Sequence, residues 1–204
     1  MQNHCSWLGI GVELPSVLSQ QCNKLNTEIT LINPRSYKFS QENRPHLNLY
    51  DLDLPETNVP DIISALNNVL SNMSSFEVRI LKIGYFNFGA IFLEVEKHPL
   101  LINLHTAVVD TVYKYKGNCV CTDYSQPWRK YTREQAEMLE KYGSPFVMNE
   151  FQPHISVGFI KAPEEMLKIH VENLNKRMNV GSCRIENVSL VDHEEKVHNT
   201  PITI

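Results

Sequence analysis

The chain has 204 residues, of which 42% are hydrophobic and 21% charged, and its formal net charge is -4. This composition is typical of a globular domain with its own core and excludes a disordered chain. The acidic balance argues against a general nucleic-acid coat protein, which needs many Lys and Arg side chains on phosphates. The net charge does not exclude a small ligand that carries a phosphate group, or a terminal phosphate.

The length of residues 1–204 predicts either a single domain or two small lobes that share one core. The N-terminus lacks a basic region, and Glu13 and Pro15 break its apolar run, so we do not expect a signal peptide. No stretch approaches the ~20 apolar residues of a membrane span, so we do not expect a transmembrane helix. The five cysteines are an odd number without the Cys-x-x-Cys spacing of a zinc site, and a core of this size needs no disulfide, so we expect reduced thiols in a cytoplasm. We also expect a monomer. A metal at Cys119 and Cys121 would need ligands from elsewhere in the chain.

The first half of the chain alternates strand and helix patterns. Residues 7–14 predict a strand, and Pro15 opens a helix whose apolar residues recur at helical spacing. Residues 46–54 predict a second strand with a bulge near positions 50–51. A turn at 55–60 then leads to a helix with Asp61 in its first turn.

Strand patterns at 76–86 and 90–96 are separated by a short glycine-containing segment, which predicts a hairpin. Pro99 starts another helix, and residues 117–131 form the longest irregular stretch.

The last third of the chain repeats the opening order. The patterns predict helices at 132–142 and 163–178, strands at 153–160 and 182–191, and a short strand at 201–204. Alternating elements with a hairpin favour an α+β fold with antiparallel sheets over a doubly wound parallel sheet.

Two segments share one local pattern. Residues 45–49 read Pro-His-Leu-Asn-Leu and residues 153–157 read Pro-His-Ile-Ser-Val. Because side chains alternate along a strand, His46 lies on the same face as Asn48, and His154 on the same face as Ser156. The apolar residues between them anchor the opposite face in the core.

The bare pattern of His followed two residues later by Ser, Thr or Asn occurs four times, at His4, His46, His154 and His198. His4 precedes the first predicted strand, and His198 lies in a charged segment where Pro201 compromises strand pairing. His46 and His154 each follow a Pro and lie in a segment of alternating apolar residues, so they form the predicted pair.

A pair of imidazoles that titrate near pH ~6.5 supplies one neutral base and one protonated acid, as in-line attack on a phosphodiester requires. The Asn48 amide and the Ser156 hydroxyl can donate hydrogen bonds to phosphate oxygens. This chemistry needs no metal and no cofactor. The alternative is that each histidine is a half-buried strand residue bonded to backbone.

These residues resemble the motifs of the two-histidine phosphoesterase superfamily, which includes bacterial 2'-5' RNA ligases, cyclic nucleotide phosphodiesterases and 2',5'-oligoadenylate phosphodiesterases. The resemblance covers most of the chain, and residues 142–154 are similar to an uncharacterised bacterial branch. It implies two pseudo-symmetric α+β lobes, with antiparallel sheets flanked by helices and phosphate bound in the cleft between them.

The resemblance also implies that His46 and His154 are catalytic and that Ser156 binds phosphate. The implied partner is a 2',3'-cyclic phosphate or a 2'-5' phosphodiester of a nucleotide or RNA end. Asn48 stands where the first family motif has Thr or Ser, and its bulkier amide sets a different geometry. The alternative is a non-catalytic nucleotide- or phosphometabolite-binding module of the same fold.

Four further residues are substrate-binding candidates because they are cationic or aromatic and lie near the first motif or in the irregular segment: Arg44, Tyr50, Trp128 and Arg129. Packing of the aromatic residue on the core is an equal alternative for that segment. A third functional reading is a metal-dependent hydrolase that uses some of the eight histidines.

Overall fold

The computed structural model describes residues 5–40, 43–119, 124–126, 129–178, 181–192 and 197–203. Within them the chain forms eight strands and five α-helices. The strands are β1 (Cys5–Glu13), β2 (His46–Pro55), β3 (Phe76–Tyr85), β4 (Ala90–Val95), β5 (His154–Phe159), β6 (Ser182–Ile185), β7 (Asn187–Asp192) and β8 (Val197–Thr203). The helices are α1 (Ser16–Ile32), α2 (Val59–Leu70), α3 (Pro99–Val112), α4 (Arg133–Tyr142) and α5 (Glu164–Asn175).

The strands lie in one antiparallel sheet in the order β6-β3-β4-β5-β2-β1-β7-β8. Strands β1, β2, β7 and β8 form one lobe and β3 to β6 the other, and the lobes meet where Leu47 pairs with Ile155. Helix α1 packs on β5 and α5 on β3, whereas α3 packs on α2 and β2. The α+β prediction with two antiparallel lobes flanked by helices is therefore confirmed.

Local sequence signals explain where α4 begins and ends. The Thr132 side chain accepts a hydrogen bond from the backbone of Gln135, whose side chain bonds back to the Thr132 backbone. This capping box satisfies amide groups that have no partner within the helix. Gly143 ends the helix with φ of 81°, a left-handed conformation that glycine adopts without steric cost.

Each motif strand contains a β-bulge at its third residue after the histidine. On β2 the register passes from Asn48 to Tyr50, so Leu49 is the extra residue. On β5 the register passes from Ser156 to Gly158, so Val157 is the extra residue. A bulge shifts the alternation of side chains by one position beyond it. The bulge predicted near positions 50–51 is therefore present, one residue earlier.

Two predictions about the C-terminal strands were wrong. The pattern over 182–191 forms two strands, β6 and β7, which lie toward opposite edges of the sheet. Strand β8 pairs with β7 despite Pro201, because it is an edge strand and needs ladder hydrogen bonds on one side alone. His198 thus lies on a paired strand.

The expectation of uniformly reduced cysteines was also wrong. Cys5 and Cys119, which are 114 residues apart, form a disulfide that ties the start of β1 to the chain beyond α3. Disulfides persist mainly in oxidising surroundings. Cys22 and Cys183 are buried thiols, and burial raises the pKa of each to about 12.

Cys121 lies outside the described residues. Within the described ranges, no group of three His, Cys, Asp or Glu side chains is arranged to hold a metal ion. The helices seen there are also too short or too polar to cross a bilayer.

A buried histidine connects the β2 bulge to the segment that precedes β5. The His105 Nδ1 atom donates to the Leu49 carbonyl at 2.8 Å, and its Nε2 atom accepts from the Met148 amide at 2.8 Å. Its ring stacks on Phe151 with centroids 3.8 Å apart. Met148 has a φ of 56°, an unfavourable value for a non-glycine residue. The hydrogen bond from its backbone N–H to His105 stabilises that conformation.

We predict that acid destabilises the fold through His105. Burial lowers its pKa from 6.5 to about 4, because the charged imidazole would lose its hydration. The unfolded chain therefore takes up this proton near pH 6.5, whereas the folded chain does so near pH 4. Protonation of His105 therefore favours the unfolded chain, and it should lower the free energy of unfolding by about 3 kcal/mol as the pH drops from 7 to 4.

Urea unfolding between pH 4 and 8 measures this loss. The variant His105→Gln should be less stable at pH 7 but should lose less stability on acidification. An equal pH dependence in the two proteins would contradict the assignment.

Candidate active site

The strand register brings the two predicted histidines onto one face of the sheet. Because Leu47 pairs with Ile155, the register places His46 opposite Ser156 and Asn48 opposite His154. The histidines are then diagonal neighbours, and such positions lie roughly 7–8 Å apart. Two imidazoles on this diagonal can contact opposite sides of one phosphate group.

Both imidazoles are anchored in the same way. The Nδ1 atom of His46 bonds the Arg44 carbonyl at 3.0 Å, and Nδ1 of His154 bonds the Gln152 carbonyl at 2.7 Å. A carbonyl oxygen can only accept, so Nδ1 carries a proton in each ring. In the neutral rings, Nε2 is therefore the nitrogen that can take up a proton.

Gly11 leaves the space in which the His46 ring lies. A Cβ atom at this position would lie 2.9 Å from the Leu47 carbonyl oxygen and 3.2 Å from Cδ2 of His46. Any larger residue would displace either the strand pairing or the imidazole. His46 itself is half-buried beside the cleft described below rather than in its wall.

The His154 ring is held against two phenylalanines. The ring centroids of Phe86 and Phe92 lie 5.4 Å and 5.3 Å from that of His154, both in edge arrangements. Burial lowers the pKa of His154 below its usual value, and the charge of His46 lowers it further. The Gln152 carbonyl and the Asp51 carboxylate act in the opposite direction. At neutral pH these influences favour the neutral ring.

Asp51 enters the site because of the β2 bulge. Beyond the extra residue Leu49, the side-chain alternation shifts, so Tyr50 points into the core and Asp51 lines the cleft. Asn48 donates from Nδ2 to Oδ1 of Asp51 at 2.8 Å, and the Tyr124 hydroxyl donates to Oδ2 at 2.5 Å. Sequence alternation alone missed Asp51, although the expected bulge was the signal that could have found it.

The cleft beside these residues has a volume of about 880 Å³, within the size range of small-molecule sites. Phe86 and Phe88 line it near His154, with nearly parallel rings 5.5 Å apart. Phe146 lines it as well and makes edge contacts with Tyr124 and Tyr131. Aromatic faces of this kind can stack nucleobases.

The structure brings together most of the residues that the sequence suggested. Asn48, His154 and Ser156 line the cleft, and His46 flanks it. Arg129 also lines the cleft, with its guanidinium 5.4 Å from the centre of the Tyr124 ring.

Of the remaining substrate-binding candidates, Tyr50 is among the residues that line the cleft, but its side chain points into the core. The Tyr50 side chain is 1% exposed, and its hydroxyl donates to the Tyr142 carbonyl, so it stabilises the core. Arg44 does not line the cleft; its carbonyl orients His46. Trp128 lies outside the described residues.

We predict that the His154 imidazole titrates below pH 6.5, and that its two charged neighbours shift the midpoint in opposite directions. Asp51→Asn should lower the midpoint further, because it removes a favourable negative charge. His46→Asn should raise the midpoint, because it removes a repelling positive charge. NMR titration of the imidazole protons measures these shifts, with Glu165→Gln on α5 as a remote control. Shifts of the same sign in the two variants would contradict the arrangement.

Comparisons with solved structures show a similar fold. TT0787 of Thermus thermophilus is 18% identical with a TM-score of 0.59, and the match covers 91% of this chain and 87% of that one. E. coli LigT, crystallised with 3'-AMP, is 14% identical with a TM-score of 0.57, and the match covers 97% and 95%. LigT crystallised with ATP is 13% identical with a TM-score of 0.54, and the match covers 97% and 95%.

A comparison with curated proteins finds no match. The family model described as the 2'-5' RNA ligase superfamily matches residues 27–197, which contain both histidine motifs and the whole β2–β5 junction. The chain therefore belongs to the 2'-5' RNA ligase superfamily.

Proposed function

We propose that the protein is a phosphodiesterase that uses His46 and His154 as an acid and base pair. Its substrate is a 2',3'-cyclic phosphate or a 2'-5' phosphodiester of a nucleotide or RNA end. The matching Nδ1 anchors of the two imidazoles carry the proposal, because they leave each Nε2 able to exchange a proton. Two structural strand histidines would not need the same tautomer on one face of the sheet.

The lowered pKa of His154 favours the neutral ring and so suits the base. His154 takes a proton from water, whose oxygen bonds to phosphorus. The bond from phosphorus to the ribose oxygen breaks, and that oxygen takes a proton from the imidazolium of His46. Asn48 and Ser156 donate hydrogen bonds to the nonbridging oxygens, where charge accumulates.

The cleft supports a nucleotide rather than a small phosphate ester. It presents Phe86 and Phe88 on one side of His154, and Tyr124 lies beyond Asp51. Stacking on aromatic side chains stabilises unpaired bases by about 1–3 kcal/mol each. E. coli LigT, whose fold is similar, has been crystallised with 3'-AMP.

We predict that His46→Ala and His154→Ala each lower kcat on a 2',3'-cyclic nucleotide by about 100-fold to 10,000-fold, because each removes a proton-transfer group. Wild-type activity should follow a bell-shaped pH profile and should persist in chelator. His170→Ala on α5, which does not line the cleft, is the matched control and should keep wild-type activity. Full activity in either of the first two variants, with folding intact by circular dichroism, would contradict the mechanism.

One observation favours a second candidate, a binding module without turnover. Asn48 replaces a hydroxyl residue, and one of its amide hydrogens is already donated to Asp51. This leaves one N–H for a phosphate oxygen. Nucleotide binding without product formation across cyclic and 2'-5' linked substrates would support the module over the enzyme.

A further inference from the structure

A carboxylate lies beside the proposed phosphate position. Asp51 Oδ1 is 2.8 Å from the Asn48 amide nitrogen, the atom proposed to contact phosphate. A phosphate oxygen bonded to that nitrogen would therefore lie about 6 Å or less from the carboxylate. Sites built for anions ordinarily place cations and N–H groups at this distance.

The Asp51 side chain is held in this position by the fold. The β2 bulge turns it toward the cleft, and hydrogen bonds from Asn48 and from the Tyr124 hydroxyl reach its two oxygens. Both partners are donors, so the carboxylate cannot turn away without losing two hydrogen bonds. A negative charge is consequently a fixed part of the site.

The other charged groups do not make the cleft strongly cationic. Among the described residues that line it, Arg129 and Lys130 are cationic, whereas Asp51 and Glu150 are anionic. Glu150 accepts a hydrogen bond from Gln135 at 3.0 Å. With His154 neutral, these formal charges cancel, and the imidazolium proposed for His46 adds one positive charge, which matches the single negative charge of a phosphodiester.

We propose that Asp51 selects phosphodiesters, which carry one negative charge, over phosphomonoesters, which carry two, an inference that rests on the proposed phosphodiesterase function. One more negative charge about 6 Å from a carboxylate lowers affinity by roughly 100-fold at an effective dielectric constant near 20, and by roughly tenfold at one near 40. The same repulsion promotes release of a monoester product. Asp51 is therefore a specificity-determining residue that contacts the substrate through Asn48.

Binding of a matched ligand pair tests this proposal without requiring turnover. The probes are 2'-deoxyadenosine 3'-phosphate, a dianion at pH 8, and its 3'-methyl ester, a monoanion at the same pH. Calorimetry gives the affinity of each for the wild type, for Asp51→Asn and for Glu165→Gln. The first variant removes the charge with almost no change in shape. The control removes the same charge from α5, away from the cleft.

We expect the wild type to bind the methyl ester at least as tightly as the monoester. In Asp51→Asn this preference should fall by about tenfold, whereas in Glu165→Gln it should change by less than about twofold. An unchanged preference in Asp51→Asn would overturn the proposal. If that variant does not fold, the two affinities of the wild type still test the proposal, because tenfold tighter binding of the monoester than of the methyl ester would contradict charge selection.

The two proposals can fail separately. An unchanged preference in a protein that hydrolyses diesters contradicts charge selection alone. The expected change in preference in a protein without turnover supports charge selection and contradicts the enzyme. Failure of the wild type to bind either probe contradicts both.

Discussion

The arrangement of the cleft depends on one backbone pairing, that of Leu47 on β2 with Ile155 on β5. This pairing joins the two lobes into one sheet and sets His46 diagonal to His154. A shift of one residue would move an imidazole to the opposite face, because side chains alternate along a strand. The buried Leu47 and Ile155 side chains oppose such a shift, since it would move the one on the shifted strand out of the core.

The two lobes position their histidines with the same local features. Each has a Pro-His pair at the start of its motif strand, an Nδ1 bond to the carbonyl two residues earlier, and a bulge three residues later. The lobes differ in what the bulge presents. On β2 it turns Asp51 into the cleft, and this carboxylate influences the pKa of His154 in the other lobe. Burial outweighs this carboxylate and keeps the pKa of His154 low, and for that reason the proposed mechanism assigns His154 as the base and His46 as the acid.

Sequence reasoning predicted most elements and the histidine pair, because periodicity, capping residues and strand alternation are local properties. Thr132 and Gly143, for example, mark the ends of α4 in the sequence itself. The remaining features depend on contacts between distant residues. The disulfide joins Cys5 to Cys119, and residues 182–191 divide between distant parts of the sheet. Tyr50 was selected as an aromatic residue near the first motif, and Asp51 was missed because the bulge at Leu49 shifts the side-chain alternation beyond it.

The proposed mechanism requires that His46 and His154 together hold one phosphate group. A crystal structure of the protein soaked with inorganic phosphate tests it most directly. We predict phosphate oxygens within about 3 Å of Nε2 in both imidazoles, with Asn48 and Ser156 as further donors. Phosphate bound to one imidazole alone, or bound elsewhere while both rings remain unoccupied, would contradict a phosphate site shared by the two histidines.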